Sequence, residues 1–333
     1  MKPSDRIVGF PTIGNVDADV LASALSELGL NVLKPLPITS KTIALGVRNS
    51  ADMICFPYKV TMGSIIESLD RGANTILQYT SGKISMCRQK QFYRLQDHTL
   101  KRLGYRFEMI GVSIFNVVPV LAKTTGKSVW KTWRMVSKHR RKLAEKEVQN
   151  WETDGTLNIA LIGEIYCCCD ERVNRGVAEK VRSCGANPIN TASVSDFCAE
   201  EEAAYGRGLW RGMLLHNLRR FNARHVYDDK AAEYFEGMFA GHAKENISAL
   251  LRVIDEGIDG VIHVLPLSCM PETTIEPYVD SICSDAGVPL LRVPIDENNS
   301  DAGVRTRIET FIRLMQWNRG RRCDSESTVA AGA

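Results

Sequence analysis

The chain has 333 residues, of which 44% are hydrophobic and 24% are charged. This length predicts about two domains, and this composition is typical of a globular protein with a sizeable core. A formal net charge of +3 is too small to indicate nucleic-acid binding, and the longest weakly polar stretch, residues 109–122, is too short to span a bilayer. No signal-peptide core precedes the first strand-like run, so we expect a cytoplasmic protein that binds neither nucleic acid nor membrane.

The first half of the chain alternates short apolar runs with amphipathic helical patterns, which predicts a parallel sheet flanked by helices. Strands are predicted at residues 7–10, 31–33, 53–54, 75–78 and 106–112. Helices are predicted at residues 16–28, 41–48, 60–69 and 92–103. These elements form a predicted N-terminal α/β domain at residues 1–125, which carries Cys55 and Cys87.

A basic segment of mixed charge follows this domain. Its helical pattern, residues 127–147, contains Trp130 and Trp133. Charge runs of this kind are usually solvated helix faces. We therefore assign residues 126–155 to a basic linker helix and not to a nucleic-acid surface.

The alternation of strand and helix then begins again. Strands are predicted at residues 157–162, 187–189, 260–265 and 289–293, and helices at residues 172–184, 245–256, 273–286 and 304–317. A pair of inserted helices is predicted at residues 199–222 and 229–242. The sequence thus predicts a C-terminal α/β domain at residues 156–318, a weak internal duplication and a disordered tail at residues 319–333.

The ten cysteines point to metal binding more than to disulfides. Without an export signal they are not expected to form a disulfide framework. No pair has the C-x-x-C spacing of a zinc ribbon or a thioredoxin-like site. An iron–sulfur cubane is compatible with this spacing because its thiolates can come from distant loops.

Three of these cysteines lie in turns that follow apolar runs: Cys55, Cys87 and Cys269. The carboxyl ends of parallel strands converge where open α/β sheets bind ligands, and helix N-termini favour the thiolate. The neighbouring Lys59 and Arg88 supply the cationic surroundings that an anionic cluster needs. The pattern favours a metal cluster with these three ligands. The alternative is that the thiols are buried as small hydrophobic groups.

A cubane held by only three thiolates keeps one iron open to water, hydroxide or substrate oxygen. The unusual run Cys167, Cys168 and Cys169 follows a strand and can in principle extend the cluster to two linked cubanes. Consecutive side chains of an extended chain point to opposite faces, which limits this reach. The alternative is a tight packing niche for all three.

Several short motifs, in their joint order, resemble the 2-hydroxyacyl-CoA dehydratase superfamily, in particular its activase-related and double-cubane cluster proteins. The first half supplies CFPYK at residues 55–59 with Gly63, DRGAN at 70–74, and the pair Cys87 and Arg88. The second half supplies GEIY at residues 163–166 with Asn174, CMP at 269–271, and DE at 296–297 followed by Gly303, Thr306, Arg307 and Phe311.

The resemblance implies two Rossmann-like (flavodoxin-like) parallel-sheet domains with a 4Fe-4S or double-cubane 8Fe-9S cluster in the crevice between them. Residues matching the family ligands are Cys55, Cys87 and Cys269. It also implies a partner, a separate homodimeric iron–sulfur ATPase of the actin and Hsp70 kind, which injects a low-potential electron. In dehydratases this electron gives a ketyl radical of the 2-hydroxyacyl-CoA thioester that expels hydroxide. In double-cubane relatives it reduces small molecules.

The sequence departs from this family pattern at the triple cysteine, and it has no recognisable extra region for a CoA-thioester pocket. We therefore expect a homodimeric iron–sulfur oxidoreductase that reduces a small substrate with electrons from an ATP-dependent activase. The alternatives are a 2-hydroxyacyl-CoA dehydratase subunit, a non-catalytic cluster scaffold for a partner activase, and a metal-free nucleotide-binding protein.

Overall fold

A computed structural model describes residues 2–12, 18–80, 87–113, 116–146, 151–153, 155–192, 224–234 and 242–330. The first domain contains strands β1 (Ile7–Gly9), β2 (Asn31–Leu33), β3 (Thr75–Tyr79) and β4 (Glu108–Val112). Its helices are α1 (Ala18–Glu27), α2 (Ser40–Arg48), α3 (Phe56–Asp70), α4 (Gln89–Arg102), α5 (Val117–Thr125) and α6 (Val129–Lys146).

The second domain repeats the alternation of strand and helix. Its strands are β5 (Leu157–Gly163), β6 (Ala186–Asn190), β7 (Gly260–Pro266) and β8 (Leu290–Ile295). Its described helices are α7 (Ile165–Cys169), α8 (Val177–Ser183), α9 (Arg224–Ala232), α10 (Ala243–Asp255), α11 (Met270–Asp285) and α12 (Asp301–Ala330).

Both sheets are parallel and have the same strand order, β2-β1-β3-β4 in the first and β6-β5-β7-β8 in the second. This is the flavodoxin-like order, in which ligands bind at the carboxyl ends of the strands where the order reverses. The predicted α/β class with two parallel-sheet domains is confirmed. Equivalent strands place Cys87, after β3, in the same position of the fold as Cys269, after β7.

The strand predicted at residues 53–54 is wrong. Residues 51–55 form a turn between α2 and α3, in which the Ile54 amide donates to the Ala51 carbonyl at 3.2 Å. Met53 is 76% exposed, so this short apolar run contributes one outward side chain and not a buried strand. Cys55 therefore follows a turn, not a strand.

The segment predicted as a solvated linker is part of the first domain. One face of α6 packs against α1 and α5, with Met135 and Thr132 buried. The His139 ring nitrogen Nε2 lies 3.0 Å from a Glu27 oxygen of α1. The charge pattern indicated the solvated face correctly, but the apolar residues between the charges bind this helix to the domain.

Two other boundaries differ from the prediction. Helix α8 begins only at Val177 because residues 171–175 form a turn. Helix α12 extends to Ala330 through part of the predicted tail, since residues 318–330 contain no proline that would end a helix. The first inserted helix, predicted at residues 199–222, lies outside the described residues.

The two domains share a hydrophobic core. Ile43 and Phe56 of the first domain pack in one cluster with Tyr166, Val293 and Ile295 of the second. The Thr12 hydroxyl, just after β1, lies 3.3 Å from the Tyr166 hydroxyl, just after β5. The carboxyl ends of the two sheets therefore meet at the junction of the domains. In the part of the chain that the structure describes, no helix is both long and apolar enough to cross a membrane.

Candidate metal centre

Cys55 is the residue that precedes the first turn of α3, and Pro57 lies inside that turn. The thiol is buried, and burial raises its pKa to about 11. The backbone amide of Tyr58 and the Arg88 guanidinium lower the pKa, whereas the Glu164 carboxylate raises it further. Arg88 and Glu164 therefore both lie near this sulfur, one from each domain.

Cys269 has the same local structure at the start of α11, with Pro271 in the first turn. The preceding Ser268 has a positive φ of 64°, which turns the chain from β7 into the helix. Burial raises the pKa of the Cys269 thiol well above its ordinary value, and Glu272, Glu164 and Cys55 raise it further. Cys55 and Cys269, from different domains, thus lie close enough for their charges to interact.

Arg88 connects the three cysteine-bearing turns. It follows Cys87, which is half-buried, and it precedes α4. Its guanidinium donates to the Met53 carbonyl at 3.1 Å, in the turn before Cys55. It also donates to the Ser268 carbonyl, directly before Cys269. One side chain thus holds together the backbone beside all three cysteines.

Lys59 makes two contacts that its position in the sequence did not predict. Its buried ammonium group forms an ion pair with Glu297 and donates to the Asp52 carbonyl at 3.0 Å. The lysine thereby ties α3 to the loop after β8. Glu297 thereby joins the two domains next to the cysteine turns.

The triple cysteine forms the short helix α7, and the Glu164 side chain accepts from the Cys167 amide at 2.9 Å. At 3.6 residues per turn its side chains spread around the helix axis, so the alternating arrangement expected for an extended chain does not apply. Cys169 donates to the Ala192 carbonyl at 3.3 Å. Burial, Glu164, Cys168 and Cys269 raise the pKa of Cys167. Cys167 therefore lies close enough to Cys269 for their charges to interact.

Cys168 lies between Cys167 and Cys169 in the sequence. Its pKa is raised by burial and then by Cys169, Glu272 and Glu164. All three thiols also contact the hydrophobic core that joins the domains. The three cysteines are thus packed at the junction of the domains, where the charge of Cys167 also interacts with that of Cys269.

A buried polar network behind α11 was not found from the sequence. The Glu272 carboxylate accepts from Asn246 at 2.8 Å and lies 2.9 Å from the His263 ring nitrogen Nε2. The Asn246 side-chain oxygen accepts from the Gly163 amide at 3.2 Å. The network fixes β5, β7, α10 and α11 relative to one another. His263 is thus a core group in the buried strand β7.

Glu164 leads to a prediction about pH. Burial raises the pKa of this carboxyl to about 7 from its ordinary value of 4.5. Because the folded pKa is the higher one, its contribution to stability is complete below pH 4.5 and is lost as the pH rises through 7. We expect Glu164→Gln to stabilise the metal-free protein at pH 8 by on the order of 3 kcal/mol. Denaturant unfolding between pH 4.5 and 8 measures this, with the exposed Glu179→Gln as a control that follows the wild-type profile.

The donor set fits a sulfur-ligated cluster. Within the described ranges, no three His, Cys, Asp or Glu side chains converge on the position of a single metal ion. Thiolates that bind different irons of a cubane lie further apart than the ligands of one ion, so this result does not bear on a cluster. Thiols with raised pKa values stay protonated until a metal displaces the proton. Soft sulfur donors of this kind select iron–sulfur clusters or zinc over magnesium or calcium.

A model of a known protein family matches part of the chain. Residues 208–315 match the family model described as 2-hydroxyglutaryl-CoA dehydratase, D-component. The matched range contains Cys269 and Glu272 but not Cys55, Cys87 or the triple cysteine. No curated protein matches the chain. The matched segment lies in the domain that carries Cys269, and its similarity to this family supports the resemblance to the 2-hydroxyacyl-CoA dehydratase superfamily.

Proposed function

We propose that the chain binds an iron–sulfur cluster at the junction of its domains and transfers low-potential electrons to a small substrate. The observation that carries this proposal is the position of Arg88, whose guanidinium bonds the backbone beside Cys55 and beside Cys269 while its own neighbour is Cys87. The family match supports a dehydratase-type component, and proteins of this family are generally iron–sulfur proteins.

Cys55, Cys87 and Cys269 are the proposed ligands, and Cys167 is the nearest candidate for a fourth thiolate. The bound cluster supplies a one-electron store of low potential. The protein's own contribution is to hold the turns in place, through Arg88 and through the ion pair of Lys59 with Glu297. Tyr166 and the core around it exclude water from one side of the site.

The proposed electron donor is an ATP-dependent iron–sulfur activase of the actin and Hsp70 kind, acting on a homodimer of this chain. The family match implies an activator partner. The test is to purify the chain without oxygen and mix it with such an activase, ATP and a reductant. We expect loss of visible cluster absorption and appearance of an electron paramagnetic resonance signal only when ATP is present. Iron-free, colourless protein would contradict the proposal.

A second candidate is a true 2-hydroxyacyl-CoA dehydratase subunit, which the match to the D-component model favours. The activated chain is assayed with a 2-hydroxyacyl-CoA thioester, alone and with a candidate second subunit. Formation of the unsaturated thioester would favour the dehydratase. Reduction of small molecules without thioester turnover would favour the first proposal.

The triple cysteine provides a test of cluster size. Because Cys167 interacts with Cys269 while Cys169 bonds to a backbone carbonyl, the two substitutions should differ. We expect Cys167→Ser to lower the iron content or change the cluster spectrum, and Cys169→Ser to leave both unchanged. Iron per chain and the resonance spectrum of the reduced protein measure this. A loss of about half the iron in both variants would instead favour a double cubane extended by the whole run.

A further inference from the structure

A second candidate site lies in the C-terminal domain, outside the cysteine turns. Between α8 and the start of α12 is a cavity of about 330 Å³. Its lining is almost entirely charged: four cationic residues (Arg172, Arg175, Lys180, Arg305) and three acidic ones (Glu171, Glu179, Asp301). The lining residues come from the turn after α7, from α8 and from the first turns of α12.

Some of the charged side chains in this cavity form ion pairs with one another, and others do not. Asp301 pairs with the buried Lys180 at 2.6 Å and lies 4.0 Å from Arg305, and Glu171 lies 3.8 Å from Arg182, which is not part of the lining. Arg172 forms no side-chain ion pair within the described part of the chain. The Nε of Arg175 is buried and has no hydrogen-bond partner among the described residues. Arg175 also attracts Asp301, and Arg172 attracts Asp170, but neither guanidinium forms an ion pair with these carboxylates among the described residues, so both can bind a ligand.

The turn that carries these two arginines has an unusual backbone conformation at Arg175. Arg175 has a positive φ of 64°, which is unfavourable for a residue with a side chain, and Gly176 follows with a φ of 68°. Lys180 donates to the Arg175 carbonyl, and the side-chain amide of Asn174 donates to the Cys167 carbonyl at 2.8 Å. These bonds hold the strained turn, and strain that the surroundings maintain in this way is concentrated at ligand sites.

We propose that this cavity binds a phosphate group through Arg172 and Arg175. A guanidinium presents paired donors that match phosphate oxygens in two-point contacts, and it stays charged at any physiological pH. The cavity volume is at the lower end of the range for small-molecule sites, which suits a small phosphorylated compound. The proposal does not depend on the cluster, because none of these residues is a proposed metal ligand.

The test is calorimetric titration of the full-length protein with inorganic phosphate and, separately, with adenosine monophosphate. Arg175→Gly is the informative variant, because glycine adopts the observed φ without strain while the guanidinium is lost. We expect saturable binding to the wild type and at least about a tenfold rise in the dissociation constant for Arg175→Gly and for Arg172→Gln. Arg252→Gln removes a half-buried arginine of α10 that pairs with Glu256; this variant serves as the matched control and should bind as the wild type does.

The melting temperature of Arg175→Gly should equal or exceed that of the wild type, so lost binding cannot be ascribed to misfolding. Tighter binding of the monophosphate than of phosphate would show that an ester is recognised, and equal affinities would show recognition of the phosphate alone. The proposal is overturned if the wild type binds neither compound. It is also overturned if Arg175→Gly binds normally, or if the control loses affinity to the same extent.

Discussion

The Cys269→Ser variant, purified without oxygen, is expected to be colourless and to contain less than about one tenth of the wild-type iron. Cys269 starts α11 next to the backbone that Arg88 holds, and its charge interacts with those of Cys55 and Cys167. Serine keeps the size of the side chain but is a poor ligand for iron in a cluster. The measurements are iron per chain and visible absorption.

The matched control is Cys283→Ser, in the same helix. Cys283 is also buried, and burial raises its pKa to about 12, yet it lies near the opposite end of α11 from Cys269 and packs in a hydrophobic cluster. We expect this variant to keep its iron. Equal iron in the Cys269→Ser and wild-type proteins, or equal loss in both variants, would contradict the assignment of Cys269 as a ligand.

The second large effect is expected from Gly46→Ala, a substitution in α2, which itself carries no cysteine. Helices α2 and α3 touch at Gly46 and Gly63, where a Cβ added at Gly46 would lie 1.7 Å from the Lys59 carbonyl oxygen. Backbone atoms cannot move aside as a flexible side chain can, so the helices must separate. We expect a loss of at least about 3 kcal/mol in the free energy of unfolding, and a lower iron content because α3 carries Cys55.

Gly72→Ala is the control for this prediction. Gly72 lies just after α3 with a φ of 98° and open space around its would-be Cβ, so only the backbone conformation opposes alanine. We expect a loss of about 1 kcal/mol and normal iron content. Denaturant unfolding of the metal-free proteins compares the two. If Gly46→Ala is no less stable than Gly72→Ala, the close contact of α2 and α3 does not position Cys55.

The sequence predicted the elements with a strong periodicity. Buried strands such as β5 and β7 are nearly continuous apolar runs, and α10 has one apolar face. These patterns were enough to predict which segments are strands and which are helices. The order of the strands did not follow from the sequence, but their alternation with helices limited the fold to parallel α/β classes. The turn at residues 53–54 was misread because two apolar residues are too few to distinguish a strand from a turn.

The contacts between the domains were beyond sequence reasoning. The bond of Arg88 to the Ser268 carbonyl joins residues 180 positions apart, and the pair of Lys59 with Glu297 spans 238 positions. Both cations were predicted to balance the charge of a cluster, whereas their visible contacts connect turns. The buried Glu164 and Glu272 gave no signal because a single carboxylate beside an apolar strand is usually a helix cap or a surface group. Their burial depends on the packing of both domains.

The most direct test of the account is diffraction from anaerobic crystals at the iron absorption edge. The account predicts one compact group of iron peaks at the domain junction, bonded to the sulfurs of Cys55, Cys87 and Cys269. Crystals without iron, or iron bound to other residues while these three sulfurs point to separate parts of the molecule, would contradict it.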